Sequence, residues 1–539
     1  MKKNEFAKLA KSPCISLLFM IIYGFINRSL PVVKYFLVPI VYISGIGNFA
    51  GLGPMRINLS NTLILKAFLA LFMAAAALVS CDKEEVITTD PSVKLAFSAD
   101  TVIFDTVFST IGSATRYLMV YNTNKNRVKI SSVHLAGGTS SPYEINIDGV
   151  PAAQWKDIEI PGEDSLYVFV RVTVDPNDEN NPFIVGDSLV FETNGNVQDV
   201  DLVAYGQNAH FYTNTVYQMH GIWENDRPHV VYGFVIVDSS YSLTIRPGAR
   251  VYFHKDAVLA VANEATLKVS GTFEEPVSFQ GDRLEEDYQD LPGQWGTIWL
   301  TAGSRNNEID HAIIRNAVIG IRVDTLGNSI QPTLKLSNTQ ILNMTGYGLQ
   351  ALGSHVVAAN CVFANCGESA VFLGIGGTYD FRHCTIGNYY PYTARQTASL
   401  VMTNYYLLLN DMGQVTDTIA RDLYQAFFGN CIVYGNKTEE ITLARTPRAE
   451  FNYLFDHCLL RTTITTDPLI IGSIFNKDPL FTDPTVNDYT LDTILSPAVD
   501  AGWMEIINSS LINLVNDLNN NNRTLDAAPD LGAYELITR

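Results

Sequence analysis

Between residues 93 and 208 apolar and polar positions alternate in short runs separated by turn clusters. Leu118 to Tyr121, Val128 to Leu135, Tyr143 to Ile147, Leu166 to Val174, Ser188 to Glu192 and Asp199 to Ala204 keep a period of two, the period of a half-buried strand. Asn-Lys-Asn, Gly-Gly, Asp-Gly and the stretch DPNDENNP at 175–182 break them, each a turn composition. Strands at this spacing predict an immunoglobulin-like β-sandwich over 93–209, without the Cys…Trp…Cys core of antibody domains. The stretch 175–182 lacks the Gly and Glu positions of an EF-hand loop and reads as a plain turn.

From about residue 230 the pattern becomes a repeat. Six octets stack: IDHAIIRN from Ile309, LSNTQILN from Leu336, AANCVFAN from Ala358, FRHCTIGN from Phe381, FGNCIVYG from Phe428 and FDHCLLRT from Phe455. Their starts lie 27, 22, 23, 47 and 27 residues apart, the 47 being close to two units and holding an insertion or an extra turn. Position four is Ala, Thr and then four Cys, and position six is always large and apolar. In a strand these two share a face, so small and large side chains both point into a narrow core. Position three is always Asn or His, which suits a one-residue left-handed bend whose side chain can bond to the next copy. VIGI, YGL and ESAV after the first three octets supply a further strand. A unit of this length with several short strands is a β-solenoid coil.

These octets resemble the right-handed parallel β-helix of the pectin-lyase-like superfamily. LTIRPGARVYF from Leu243 and LKVSGTFEEPVSF from Leu267 are similar to opening coils of bacterial members. DPLFTDP at 478–484, LSPAVDAG at 495–502 and PDLGAYE at 529–535 are similar to an ending that many members share. VYNTNKNRVKISSVHL resembles the strand pairs of Hydin-like bacterial sandwich domains. The expected fold is all-β: an immunoglobulin-like sandwich followed by a right-handed parallel β-helix over 210–539, with an aromatic insertion at about 389–427. The resemblance specifies fold far better than function, because this scaffold hosts lyases, hydrolases, epimerases, adhesins and inert stalks.

The first eighty residues change the charge. The whole chain of 539 residues carries 36 basic and 55 acidic side chains, a net of −19. Residues 1–80 hold eight basic and one acidic residue, so the remainder from Cys81 stands at −26. That balance repels phosphate and excludes nucleic acid as a partner. With 47% hydrophobic residues, 11% aromatic residues and no strict glycine period, disordered and collagen-like readings also fail. Residues 55–80 carry Arg56 and Lys66, then an apolar run from Ala67 to Leu78, and end at LVSC. This resembles the lipobox of bacterial lipoproteins and implies lipidation of Cys81, hence a membrane partner through the lipid anchor. The acidic DKEE, Asp82 to Glu85, within a tether at 81–92, resembles the surface-export signal of Bacteroidetes lipoproteins. Residues 1–54 contain two broken apolar stretches and are expected to lie upstream of a true start at Met55.

Cys361, Cys384, Cys431 and Cys458 occupy one column and are expected as a buried, reduced ladder. Parallel strands are ~4.8 Å apart, while a disulfide wants Cβ atoms at about 3.5–4.5 Å. His311, His383 and His457 also share a column, but Asn338, Asn360 and Asn430 intervene, which separates the imidazoles too far for one metal. No metal, cofactor or catalytic residue is expected. None of the NTD, DD, GHG and RIK motifs of galacturonase-type hydrolases occurs in the helical region. Alternation turns Arg322, Asp324, Gln350 and Phe372 outward, one carboxylate where a glycosidase needs two. That face is either a glycan contact made by hydrogen bonds and stacking or plain surface. Two aromatic insertions, Asp282 to Trp299 and the tyrosine-rich 389–427, are either glycan platforms or caps on an apolar flank. The expected function is a surface-anchored outer-membrane lipoprotein whose β-helix is a non-catalytic binding or adhesion module for polysaccharide or another envelope surface. A carbohydrate-active lyase or hydrolase, and a stalk without ligand, stand as alternatives.

Overall fold

The structure is a computed structural model that describes residues 86–109, 112–175, 183–324, 331–410, 412–508, 512–525 and 527–537. The leader, the lipobox with Cys81, Asp82 to Glu85, and the turn 176–182 lie outside the described residues. Among the described residues no helix is long and apolar enough to cross a membrane.

The N-terminal part is a sandwich of two sheets. One sheet runs in the order Ile87–Thr88, Arg127–Leu135, Phe183–Thr193, Asn196–Gln207, Thr101–Phe108, with Gln154–Ile160 also pairing with Arg127–Leu135. The other runs Ala96–Phe97, Arg116–Tyr121, Ser165–Val172, Tyr143–Ile147, Val150–Ala152. Inward positions such as Val120, Ile130, Ile145, Val168, Val170, Phe191 and Leu202 are fully buried and form one core. The hairpin after Thr193 turns through Asn194 and Gly195, both at positive φ (51° and 79°), the geometry of the primed turns that match strand twist. The sheet begins inside the segment read as tether, because Ile87–Thr88 pairs in parallel with Arg127 and Val128.

The second part is a parallel β-helix with three strands per coil. A ten-stranded all-parallel sheet forms one wall, from Gly221–Trp223 to Ile470–Ile471. The other two strand columns join into a larger sheet that is also parallel throughout. One coil shows the logic: Asn307–Asp310 bends at His311, runs on as Ala312–Arg315, bends at Asn316 and returns as Ile321–Val323. Every position-three residue is left-handed, with φ of 48° at His311, 47° at Asn338, 51° at Asn360, 49° at His383, 51° at Asn430 and 51° at His457. A second left-handed column lies at position eight, Asn316, Asn343 and Asn365, with φ of 66°, 61° and 52°. The amides also tie coils together. Asn360 Nδ2 donates to Asn338 Oδ1 at 3.1 Å, and Asn430 Nδ2 to His383 Nε2 at 3.0 Å.

Inside, phenylalanines at position one stack along the axis: Phe381 on Phe428 at 5.1 Å and Phe428 on Phe455 at 4.8 Å. Cys361, Cys384, Cys431 and Cys458 are free and fully buried, as is Cys366. The column thiols donate to backbone carbonyls of the bends, for example Cys431 Sγ to Gly429 O at 3.3 Å and Cys458 Sγ to Phe428 O at 3.3 Å.

The coils end at Ile474–Phe475, so residues beyond 475 within the segment read as helix form no further coil. They run back along the outside instead. Tyr489, Leu531, Ala533 and Tyr534 pack on Val362, Ala364, Ile432 and Leu459, outward residues of the octets. Arg523 is fully buried, donating Nη1 to Glu535 Oε2 at 2.9 Å and Nη2 to Asn360 Oδ1 at 3.2 Å. The insertion read over 389–427 is in fact interrupted by a coil strand, Leu400–Thr403, and ends in another, Leu423–Gly429. Its remainder is a loop at 389–399, clamped by Arg395 on buried Glu440 at 2.6 Å, and a hairpin of Tyr405–Leu409 and Val415–Ala420.

Candidate functional site

Three of the four outward residues picked from alternation, Arg322, Gln350 and Phe372, fall on one strand column. Trp299, Arg322, Gln350 and Phe372 are register partners on successive coils, so they form a row along the axis. Ile298, Leu300, Ile321, Val323, Leu349, Ala351, Val371 and Leu373 alternate with them and are fully buried, which forces the row outward. Asp324 follows Arg322 and closes a local network. Arg322 Nε donates to its two oxygens at 3.0 and 3.1 Å, and Trp299 Nε1 donates to Oδ2 at 2.7 Å. The Arg322 guanidinium lies 4.9 Å from the Trp299 ring centroid, a cation–π contact. Tyr347 extends the row sideways, its ring 5.2 Å from that of Phe372. The row therefore offers two aromatic faces, a guanidinium, an amide and one carboxylate that is already engaged twice.

The histidine column holds no metal geometry. His311 and His457 each face the preceding Asp310 and Asp456, at 3.0 and 2.6 Å. His457 stacks on Trp503 at 5.0 Å, while buried His383 accepts from Asn430 and is pushed well below its usual pKa, first by burial and then by Arg523. Among the described residues no group of three His, Cys, Asp or Glu side chains could hold a metal ion.

A second constellation lies where the sandwich meets the first coils. A cleft of about 240 Å³ is lined by Phe104 to Phe108, Gly112 to Ala114 and Arg116 on one side, and by Tyr232, His254 and Asp282 to Glu285 on the other. His254 Nδ1 lies 2.8 Å from Asp282 Oδ2, and the Tyr232 hydroxyl donates to the same oxygen at 3.3 Å. The Tyr232 ring stacks on the imidazole at 4.5 Å. An aspartate on Nδ1 fixes the tautomer and leaves Nε2 as the acceptor. Arg283 donates Nε to both Glu285 oxygens at 3.0 Å, and its guanidinium sits 3.9 Å over the Tyr288 ring. Burial works to raise the Glu285 carboxyl, but the bonds from Arg283 outweigh it and hold the group below its usual range.

Sequence reasoning singled out the insertion Asp282 to Trp299 for its acidity and tryptophans but did not connect it to His254. The two tryptophans diverge: Trp295 is fully buried and stacks on Phe253 at 4.2 Å, while Trp299 joins the outward row. Of the tyrosines in the later insertion, Tyr389 packs against Tyr489 at 6.3 Å and so covers a flank, while Tyr406 is exposed on the hairpin.

No protein-family model and no curated protein matches this sequence. Among solved structures the chain is similar to a protein of unknown function from Porphyromonas gingivalis W83, at 12% identity over 23% of this chain and 59% of that chain, with a TM-score of 0.16. It is similar to a PapD-like domain of human CEP192 at 11% identity, over 24% of this chain and 94% of that domain, with a TM-score of 0.15. It is similar to the E. coli chaperone DraB at 11% identity, over 22% of this chain and 55% of that chain, with a TM-score of 0.16. The chain thus spans less than two thirds of the Porphyromonas protein and of the chaperone. The strand pairings themselves make the protein all-β, a sandwich followed by a parallel β-helix.

Proposed function

We propose that this is a lipid-anchored envelope protein whose β-helix, of the pectin-lyase-like kind, binds glycan without cleaving it. Lipidation at Cys81 supplies the anchor, and the acidic tether behind it favours export to the outer face of the outer membrane, as in Bacteroidetes lipoproteins. The observation that carries the binding reading is the row Trp299, Arg322, Gln350, Phe372. Four planar groups in register on adjacent coils stand ~4.8 Å apart and match an extended chain of rings that alternates stacking with hydrogen bonding. The row's carboxylate, Asp324, is held by Arg322 and Trp299, whereas glycosidic cleavage takes two opposed carboxyl groups.

The test is retention on a panel of immobilised polysaccharides. At least one should retain the protein, and Trp299→Ala and Phe372→Ala should each weaken retention about tenfold, the scale of one lost aromatic contact. No retention by the whole panel, or wild-type retention by both variants, refutes it. The paired His254 and Asp282 favour a second reading, a carbohydrate-active enzyme working in the cleft. New reducing ends or unsaturated sugars released by wild type and not by His254→Ala would establish that reading instead.

A further inference from the structure

Beside the cleft lies a second cavity of about 270 Å³, held between the insertion that starts at Asp282 and the outer flank of the coils. Gln280, Arg283, Tyr288, Gln294, Arg315 and Asn316 line it. Two of these present carboxamide oxygens that are buried and without a hydrogen-bond partner, Gln294 Oε1 and Asn316 Oδ1. Asn316 is only 3% exposed, at the left-handed bend between two strand columns. The amide orientations are fixed. Gln294 Nε2 donates to the carbonyls of Tyr288 and Leu291 at 2.6 and 2.8 Å, and Asn316 Nδ2 to that of Gln289 at 2.7 Å. A flip would set oxygen against carbonyl oxygen, so both free atoms are acceptors. Gly281 leaves room for one of them, since a Cβ there would stand 2.3 Å from Gln294 Oε1. Buried acceptors without partners are costly and call for donors.

The donor cannot be a bare cation. Arg283 and Arg315 share the wall, and calcium would want six to eight oxygens. An anion would meet two acceptor oxygens and the carboxylates of Asp105 and Glu286. A neutral hydroxyl satisfies both kinds of group, donating to the amide oxygens and accepting from a guanidinium. Arg315 directs Nε and Nη2 at the single acceptor Gln280 Oε1, at 2.8 and 2.5 Å, and a guanidinium carries five N–H donors. The cavity is smaller than the ~300–1,000 Å³ of sites for drug-sized ligands, which suits one sugar ring. We propose that it is a subsite for a single neutral, hydroxyl-rich unit, a monosaccharide or one residue of a glycan, recognised by Gln294, Asn316 and Arg315. The proposal rests on the glycan reading and assigns recognition of the individual sugar to a place around the Asn316 bend from the Trp299 row.

Saturation-transfer NMR on the full chain tests it, with glucose, galactose, mannose and N-acetylglucosamine as probes and calcium chloride as a separate arm. At least one sugar should receive saturation. Gln294→Met, which keeps length and removes the acceptor, should weaken it tenfold or more, and Val486→Ala, at an exposed position beyond the coils, should leave it unchanged. Should Gln294→Met fail to fold by circular dichroism, Arg315→Met reads the same loss. No transfer to any of the four sugars, equal transfer in wild type and both cavity variants, or a response to calcium alone overturns the proposal. Polysaccharide retention that depends on Trp299 while free sugars fail would sink this subsite and leave the glycan-binding function standing. Cavity-dependent sugar binding without any polysaccharide retention would do the reverse.

Discussion

Cys431 offers the sharpest test of the coil register. It sits at position four of the fifth octet, between Leu423–Gly429 and Ile432–Gly435, fully buried. Its sulfur donates to Gly429 O at 3.3 Å and Phe381 O at 3.5 Å and accepts from Cys384 N at 3.5 Å. Cys431→Ala removes one buried heavy atom, so the loss is that of about one methylene, ~0.8 kcal/mol, plus a small cavity, about 1–2 kcal/mol together. Cys431→Ser keeps a donor for the same carbonyls and should cost a similar amount. Cys431→Asp sets a carboxylate against two carbonyl oxygens with no cation near, and should cost about 3–5 kcal/mol. Because each coil contacts only its neighbours, the Asp variant should lose the coils around Cys384 and Cys458 first. Urea denaturation gives the ranking, and native-state alkylation with mass analysis gives the burial. Burial pushes Cys384, Cys431 and Cys458 well above the usual thiol pKa and Cys366 to about 12, so thiolate is scarce and labelling should be slow. Rapid labelling of the column, or an Asp variant that melts with the Ala variant, would refute the register.

Three further outcomes follow from the structure and one from the sequence. His229 is buried among Tyr212 and Trp223 and lowered to about 4, mainly by burial. Its neutral form stabilises the fold fully above ~6.5, and this contribution is lost as pH falls toward the folded value, about 3 kcal/mol in all at 1.36 per unit; thermal melts from pH 7 to 4 should fall less steeply in His229→Gln than in wild type. Arg395→Leu strands Glu440 in the interior and should cost about 3–5 kcal/mol in denaturant, with Arg395→Leu/Glu440→Leu recovering a good part of it. Gly387→Ala puts a Cβ 2.4 Å from the Tyr489 ring and should cost about 1–3 kcal/mol, read as a lower midpoint and earlier proteolysis beyond residue 475. Detergent partitioning of Cys81→Ala against wild type checks the anchor, which should be lost together with precursor cleavage.

The coil was legible because its constraints are local. A left-handed bend accepts few residues, so His or Asn recurs at position three, and all six copies have φ near 50°. A narrow core accepts few volumes, so only Ala, Thr or Cys stands at position four. The second bend had the same signal in Asn316, Asn343 and Asn365, in a column whose meaning is set by a strand that the short octet does not include. In the sandwich, Thr101–Phe108 and Gln154–Ile160 escape the pattern because Asp105, Lys156 and Asp157 interrupt their alternation. The cleft and the cavity were invisible for a different reason. His254 and Asp282 belong to consecutive turns of chain but to no shared motif, and Asn316 looks like any other bend asparagine.

The returning C-terminal segment explains a drift in the octets that the inward columns cannot. Outward positions five and seven are Ile313 and Arg315 in the first octet and Gln340 and Leu342 in the second, then Val362 and Ala364, Thr385 and Gly387, Ile432 and Tyr434. A face washed by solvent on every coil would have stayed polar. Here the later coils face Tyr489, Leu531 and Tyr534, so most of their outward residues, Val362, Ala364, Ile432, Tyr434 and Leu459, are apolar, and Gly387 makes room for the Tyr489 ring. The same segment brings Arg523 to Asn360 and Trp503 to Asn430 and His457, which places polar partners over the bend column where the coils would otherwise present bare amides. The first octet lacks this cover at Arg315, whereas Leu342 of the second already joins it. Arg315, bonded to Gln280 of the preceding coil, meets the insertion from Asp282 instead, so the flank divides into a sealed part and a part that keeps a lined cavity. On this flank the sandwich-proximal coils therefore keep room for a ligand, while the later coils are closed by the returning segment.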